Sequence, residues 1–273
     1  MRAHLGQHFM KSRKAIRAMI TSLDIRKGDT VIEIGGGEGA LTIPLAEMCE
    51  RKDARLIVIE RDERLVQKLG SVEVLKTKGI EIVQGDALKL LTSNNWKWSS
   101  GGGFASGGEM GNWKLAGNIP YYLTGKLFRI LSEAETPPAS AVFTIQAEVA
   151  DRVAATPGTM SLLAGTVAAW AHPAVLMRLK PTDFDPPPEV SSAILLLTRN
   201  DSVLPLPERE RYFSMLRILF RQPRKTVWNN LRAAFPDDEN SLMKTLTNAG
   251  IDPKLRPQHL SLEMLINLAS RFQ

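Results

Sequence analysis

Three turns, each directly after a short apolar run, carry the side chains of this sequence best suited to chemistry. In VIEIGGGEGALT (31–42) Glu33 precedes Gly35, Gly37 and Gly39. Glycines ahead of a helix let the backbone approach a ligand and turn helix N-terminal amides toward a negative group. Gly35, Gly37 and Ala40 also satisfy the G-x-G-x-x-A spacing. The motif alone therefore fits S-adenosylmethionine and a nicotinamide or flavin cofactor equally, or a tight turn without a ligand. Glu60 closes RLIVIE (55–60), where a carboxylate can accept hydrogen bonds from both ribose hydroxyls. The alternative is a solvated charge beside Arg61 and Asp62. Asp86 follows IEIVQG (80–85) and can accept from an adenine amino group, with Ala87 lending its backbone amide. Together the three turns favour an adenosyl ligand lying across the ends of the strands.

A fourth segment, LAGNIPYYLTG (115–125), ends its apolar run with an amide, a rigid ring and two aromatics. The exocyclic amine of adenine is a poor nucleophile, because its lone pair is delocalised into the ring. Two acceptors holding its hydrogens, the Asn118 side-chain oxygen and the Ile119 carbonyl, would localise that pair toward an incoming methyl group. Pro120 would stiffen the loop, and Tyr121 would stack on a base drawn out of its helix. Read apart from the other turns, the segment is also consistent with an Asn–Pro turn closed by a packed tyrosine.

These residues need a scaffold that brings strand ends together. Strands are expected over 30–35, 55–60, 80–86, 113–118 and 141–146, with helical stretches such as ALTIPLAEMCE and RDERLVQKLG between them. Alternating strands and helices predict an α/β fold, a Rossmann-like doubly wound sheet whose strand ends line one ligand-binding edge. Two further apolar runs, 174–180 and 191–199, fit a hairpin-like pair at the sheet edge. MSLLAGTVAAWAHPAVLM (160–177) is broken by His172 and Pro173 and reads as a core helix feeding a strand rather than a membrane span. From about 201 to 273 the chain turns helix-rich and basic, so a domain over 1–200 is expected to precede a small all-helical one over 201–273. The glycine-rich stretch 99–111 reads as a loop.

The chain has 273 residues, 44% of them hydrophobic, and a net charge of +6, which permits a polyanionic partner without naming one. Its one cysteine, Cys49, rules out an internal disulfide and is expected to be a structural thiol. The N-terminus lacks the apolar core of a signal peptide, so a cytoplasmic location is expected, without membrane attachment. His4, His172 and His259 show no metal-ligand spacing, and no metal is expected. Arg217, Arg221, Arg224 and Lys225 can form one cationic surface suited to RNA phosphates, or simply a solvated helical face. Lys11, Arg13, Lys14 and Arg17 raise the same question.

LGQHF (5–9), EIGGGEGALT (33–42), ERD (60–62), GDAL (85–88), GNIPYYLT (117–124), QAEVADRV (146–153) and FDPPPEVSSAILLL (184–197) occur in one order. In that order the chain resembles the small-subunit rRNA adenine dimethyltransferases, the KsgA family. FRQPRKTVWNNL (220–231) and GIDPKLRPQHLS (250–261) extend the resemblance into the helical region. The resemblance implies S-adenosylmethionine as cofactor and small-subunit rRNA, within the small ribosomal subunit, as partner of a monomeric enzyme. It implies two methyls on N6 of each of two neighbouring adenosines near the rRNA 3′ end. Gln7 and His8 would close over the cofactor, Gly35 would pack on its methionine portion, Glu60 would hold the ribose, and Asp86 with Ala87 the adenine. Asn118 and Tyr121 would present the target base, with Phe184 on its other face. The sequence departs from the family pattern at Gly36, at Tyr122, in TPGTMS (156–161) and at Pro223, the last two within RNA-positioning segments. Two rivals stand beside this reading: a large-subunit rRNA adenine N6-methyltransferase of the antibiotic-resistance type, and a non-catalytic ribosome-assembly factor.

Overall fold

The computed structural model describes residues 8–92, 113–200, 204–236 and 239–272. Gln7 and the 99–111 stretch lie outside these residues. The chain divides into two compact units, Met1–Ala150 with Ala174–Arg199, and Asp151–Pro173 with Asn200–Gln273.

In chain order the first unit begins with β1 (Phe9–Met10), α1 (Arg13–Ser22), β2 (Thr30–Ile34), α2 (Thr42–Lys52), β3 (Arg55–Glu60) and α3 (Glu63–Gly70). It continues with β4 (Ile80–Gln84), α4 (Ala87–Thr92), β5 (Trp113–Asn118), α5 (Thr124–Glu133), β6 (Ser140–Gln146) and α6 (Ala147–Val153). After α7 (Leu162–Ala168), which belongs to the second unit, follow β7 (Ala171–Leu179), β8 (Phe184–Asp185) and β9 (Ser192–Arg199). Seven strands form one sheet in the order β4-β3-β2-β5-β6-β9-β7. Neighbours from β4 through β6 are parallel, and β9 runs antiparallel to β6. The runs at 174–180 and 191–199 are thus adjacent strands at the sheet edge, as their sequence suggests. β2, β3 and β5 are buried along nearly their whole length, which explains why they read as unbroken apolar runs rather than alternating ones. Edge strand β7 instead alternates exposed and half-buried positions between its buried ends.

The chain goes outward from β2 through β3 to β4, then returns to the other flank of β2 as β5. The strand order reverses between β2 and β5, and a crevice opens where such a reversal occurs. At the opposite end of these two strands, Lys114 and Asp29 form a buried ion pair at 2.9 Å. The Lys114 ammonium also donates to the Asp24 carbonyl, and the Asp29 carboxylate accepts from the Arg26 amide at 2.7 Å. The core beneath the sheet includes Val31, Leu45, Cys49, Leu56, Val58 and Val142. Cys49 is fully buried, and burial pushes its thiol up to about 12, in keeping with a structural role.

The second unit contains α7 and four further helices, α8 (Leu206–Leu219), α9 (Val227–Ala234), α10 (Glu239–Asn248) and α11 (Leu262–Ala269). Its core gathers Tyr212, Leu216, Leu219, Leu231, Leu246 and Leu268. The division expected at residue 200 needs correcting, because 151–173 belongs with the C-terminal helices. α7 packs so closely on α8 that a Cβ added to Gly165 would stand 2.9 Å from Leu216, and the Tyr212 hydroxyl donates to the Gly165 carbonyl at 2.9 Å. The 156–161 segment is tied down in the same unit, with the Gly158 and Met160 amides both donating to the Gln258 carbonyl. Among the described residues no helix is long and apolar enough to cross a membrane.

Candidate active site

The C-terminal ends of β2, β3, β4 and β5 surround one cleft. Ile34 and Ile59 give it apolar walls, and the turns after them supply its polar groups. After β2 the backbone takes positive φ at Gly35 (77°) and Gly37 (55°), a conformation that side chains resist. The Gly35 amide donates to the Ile59 carbonyl at 2.8 Å, fixing the turn to the next strand. Nothing lies within 4 Å of a Cβ built on Gly35, which borders the cleft, so a side chain there would occupy ligand space. At Gly37 an added Cβ would meet the Phe9 ring at 3.1 Å.

Glu60, nearly buried at the end of β3, is anchored by three backbone amides. Its Oε1 accepts from Arg61 and Asp62, both at 2.8 Å, and its Oε2 from Gly37 at 3.0 Å. A carboxylate has about four acceptor positions, so one on Oε2 remains for a ribose hydroxyl. The two-hydroxyl grip expected from sequence is therefore narrowed, since Gly37 already takes the second position. Asp86 uses Oδ1 to cap α4, accepting from Leu88 at 2.9 Å and Lys89 at 3.3 Å, which leaves Oδ2 for a ligand. Ala87 borders the cleft beside it.

Asn118 closes β5, and its Nδ2 donates to the His8 carbonyl at 2.6 Å. A carbonyl can only accept, so the contact fixes the amide with Oδ1 as the free acceptor. The Ile119 amide is held by the Thr144 carbonyl at 3.1 Å. Pro120 leads into a tight turn over Tyr121–Leu123, closed by the Leu123 amide on the Pro120 carbonyl at 2.9 Å. The Tyr121 hydroxyl shares a hydrogen bond with Ser192 Oγ at 2.8 Å, and its ring stacks on His8 at a centroid distance of 6.1 Å. His8 in turn donates from Nδ1 to the Pro186 carbonyl at 2.8 Å. Tyr122 also borders the cleft and stays 61% exposed.

His8, Gly35, Gly37, Glu60, Asp86 and Ala87 thus meet Asn118, Ile119, Pro120 and Tyr121 around one cleft. Two expected site residues do not join them. Glu33 is 1% exposed and lies below the glycine turn, outside the cleft wall. Burial first, and then the nearby Glu60 charge, raise its carboxyl to about 8 against the hydrogen bond from Thr42. Phe184 is also 1% exposed, paired opposite Met10 and packed into the core rather than lining the cleft. Gln7 lies outside the described residues. Sequence reasoning missed Phe9, Ser192 and the Pro186 carbonyl, whose roles arise from contacts between distant segments and leave no local signal.

The fit to an adenosyl ligand rests on the open space over Gly35, the remaining Glu60 acceptor and the free Asp86 oxygen. Arg217, Arg221, Arg224 and Lys225 are exposed on the second unit. None of them pairs with a carboxylate among the described residues. The turn carrying the last three is organised by buried Asn230, whose Oδ1 accepts from the Gln222 amide and whose Nδ2 donates to the Gln222 and Thr226 carbonyls.

The model of the family described as ribosomal RNA adenine dimethylase matches residues 1–273. A ribosomal RNA small subunit methyltransferase A from Pelotomaculum thermopropionicum is 35% identical over 99% of this chain and 91% of its own length. One from Acidobacterium capsulatum is 36% identical over 97% and 88%. Among solved structures, a dimethyladenosine transferase from Plasmodium falciparum has the same fold, with a TM-score of 0.75 at 21% identity over 96% of both chains. The 23S rRNA methyltransferase ErmE does too, with a TM-score of 0.70 at 24% identity over 96% of this chain and 98% of its own.

Proposed function

The chain belongs to the ribosomal RNA adenine dimethylase family, and we propose that it dimethylates N6 of two neighbouring adenosines near the 3′ end of small-subunit rRNA, using S-adenosylmethionine. The relatives most like it along nearly its whole length carry the small-subunit name, which supports this substrate over large-subunit rRNA. The observation that carries the chemistry is the Asn118 amide, oriented by His8 so that an acceptor oxygen faces the reaction site.

S-adenosylmethionine, when bound, supplies a methyl on a sulfonium, a good leaving group. Residues around Gly35, Glu60 and Asp86 bind and orient it. Asn118 Oδ1 and the Ile119 carbonyl hold the two hydrogens of the target amine and direct its lone pair outward. The amine attacks as a neutral group, so the chain needs no general base before transfer, and the proton leaves afterwards. Tyr121, locked by Ser192 and His8, offers a fixed face to the extruded base. Orientation and preformed polar contacts are what the chain contributes to the rate. The reading takes the enzyme as a monomer that works in the cytoplasm, where small subunits are assembled.

Asn118→Ala separates catalysis from binding. Methyl transfer to unmodified small subunits falls at least about 100-fold, while subunit affinity, measured by sedimentation, changes little. Equal loss of both would contradict the role given to Asn118.

A further inference from the structure

Helix α1 carries Arg13, Lys14 and Arg17 on its exposed side, and Lys11 precedes its N-cap, Ser12. Its other side packs Ala15, Met19 and Ile20 into the core. Three features make this arrangement unfavourable for the helix alone. Cations in the first turns oppose the positive end of the helix dipole. Arg13 and Arg17 are four residues apart and Lys14 and Arg17 three, so like charges face each other along one side. No acidic residue stands in the first turn, and none of the four cations pairs with a carboxylate among the described residues.

This end of α1 is also tied to the active site. The Lys11 amide donates to the Asp183 carbonyl at 2.9 Å, fixing the start of the helix. Three residues earlier, His8 holds Asn118 through its carbonyl and Tyr121 through its ring. Lys11 thus lies no more than about 11 Å of backbone from His8, and Arg13, Lys14 and Arg17 follow it along the exposed side of α1.

We propose that Lys11, Arg13, Lys14 and Arg17 form a phosphate-binding surface for the RNA strand that carries the target adenosine, holding its backbone on the flank of the extruded base. This rests on the reading of the cleft as an RNA adenine methyltransferase site. A polynucleotide whose base is drawn into the cleft must lay its adjoining phosphates near the cleft edge, and counterion release from them offsets the repulsion stored in α1.

The test is the Lys14→Gln/Arg17→Gln double variant of the full chain, which alters no residue of the cleft. Small subunits lacking the adenine modification are the RNA. The variant is expected to raise KM for subunits about tenfold with kcat and cofactor affinity unchanged. Its plot of log affinity against log salt becomes shallower by about 1.4–1.8, the value for two lost phosphate contacts. Its melting temperature rises, because like-charge repulsion in α1 is relieved. An unchanged KM and salt slope in a protein that still methylates RNA would overturn the role of α1 and leave the reading of the cleft intact. A lowered melting temperature with proportionate loss of kcat would also overturn it, by showing that these side chains serve the fold. A wild type that binds subunits with the expected slope but transfers no methyl would instead sink the reading of the cleft and spare the surface.

Discussion

Tyr121 is held on two sides, by Ser192 Oγ at 2.8 Å and by the His8 ring. Tyr121→Phe keeps the ring but leaves the fully buried Ser192 hydroxyl without that partner. The loss is worth roughly 1–2 kcal/mol, so kcat/KM for small subunits should fall about tenfold, and steady-state methylation measures it. An unchanged value would show that the ring alone fixes the base. Glu33 is governed by burial rather than by ligand contact. With a folded-state pKa of about 8 against an ordinary 4.5, the folded protein keeps a proton that the unfolded chain releases across that interval. The stability this group contributes is complete below about 4.5 and drains away as pH rises to about 8, by up to ~1.4 kcal/mol per pH unit. Glu33→Gln has no such proton to lose. Its advantage in melting temperature over the wild type should widen from pH 5 to pH 8, and a constant margin would contradict the assignment.

At the scale of elements, β5 works from both ends. Asn118 at its C-terminal end faces the cleft, and Lys114 near its start forms the buried pair with Asp29. Lys114→Met leaves the Asp29 carboxylate buried without its cation, a loss of roughly 3–5 kcal/mol, to be read from denaturant melts. Cofactor affinity of the folded fraction should be unchanged, because the substitution lies at the far end of the strand. Strands β2, β3, β5 and β6 were legible because burial on both faces makes them short apolar runs, and the glycine and carboxylate turns were legible because strand C-termini share one edge. The outward face of a residue was less so. Phe184 stands in a motif that the family resemblance places at the target base, yet pairing of β1 with β8 turns it inward, and Glu33 sits on the buried side of β2. Spacing alone does not reveal which way a side chain points when its partner strand lies more than a hundred residues away. The membership of 151–173 was hidden for a similar reason, since it depends on α7 packing against α8 rather than on composition.

At the scale of the whole molecule, the net charge of +6 is not spread evenly in its consequences. Cations that could be neutralised by carboxylates often are, as in Lys68 with Glu38 and Arg64 with Asp62. Those on the basic turn held by Asn230 and at the start of α1 have no such partner among the described residues. The proposed site and these unpaired cations fit an enzyme that would grip one base closely and its polyanionic surroundings by charge. The most direct measurement incubates the protein with labelled S-adenosylmethionine and small ribosomal subunits lacking the adenine modification, then digests the RNA and identifies the nucleosides by mass spectrometry. N6,N6-dimethyladenosine at two neighbouring positions near the 3′ end is the result expected. No label on small subunits, whether large-subunit RNA offered in a parallel reaction is methylated instead or cofactor binds without any transfer, would contradict the account.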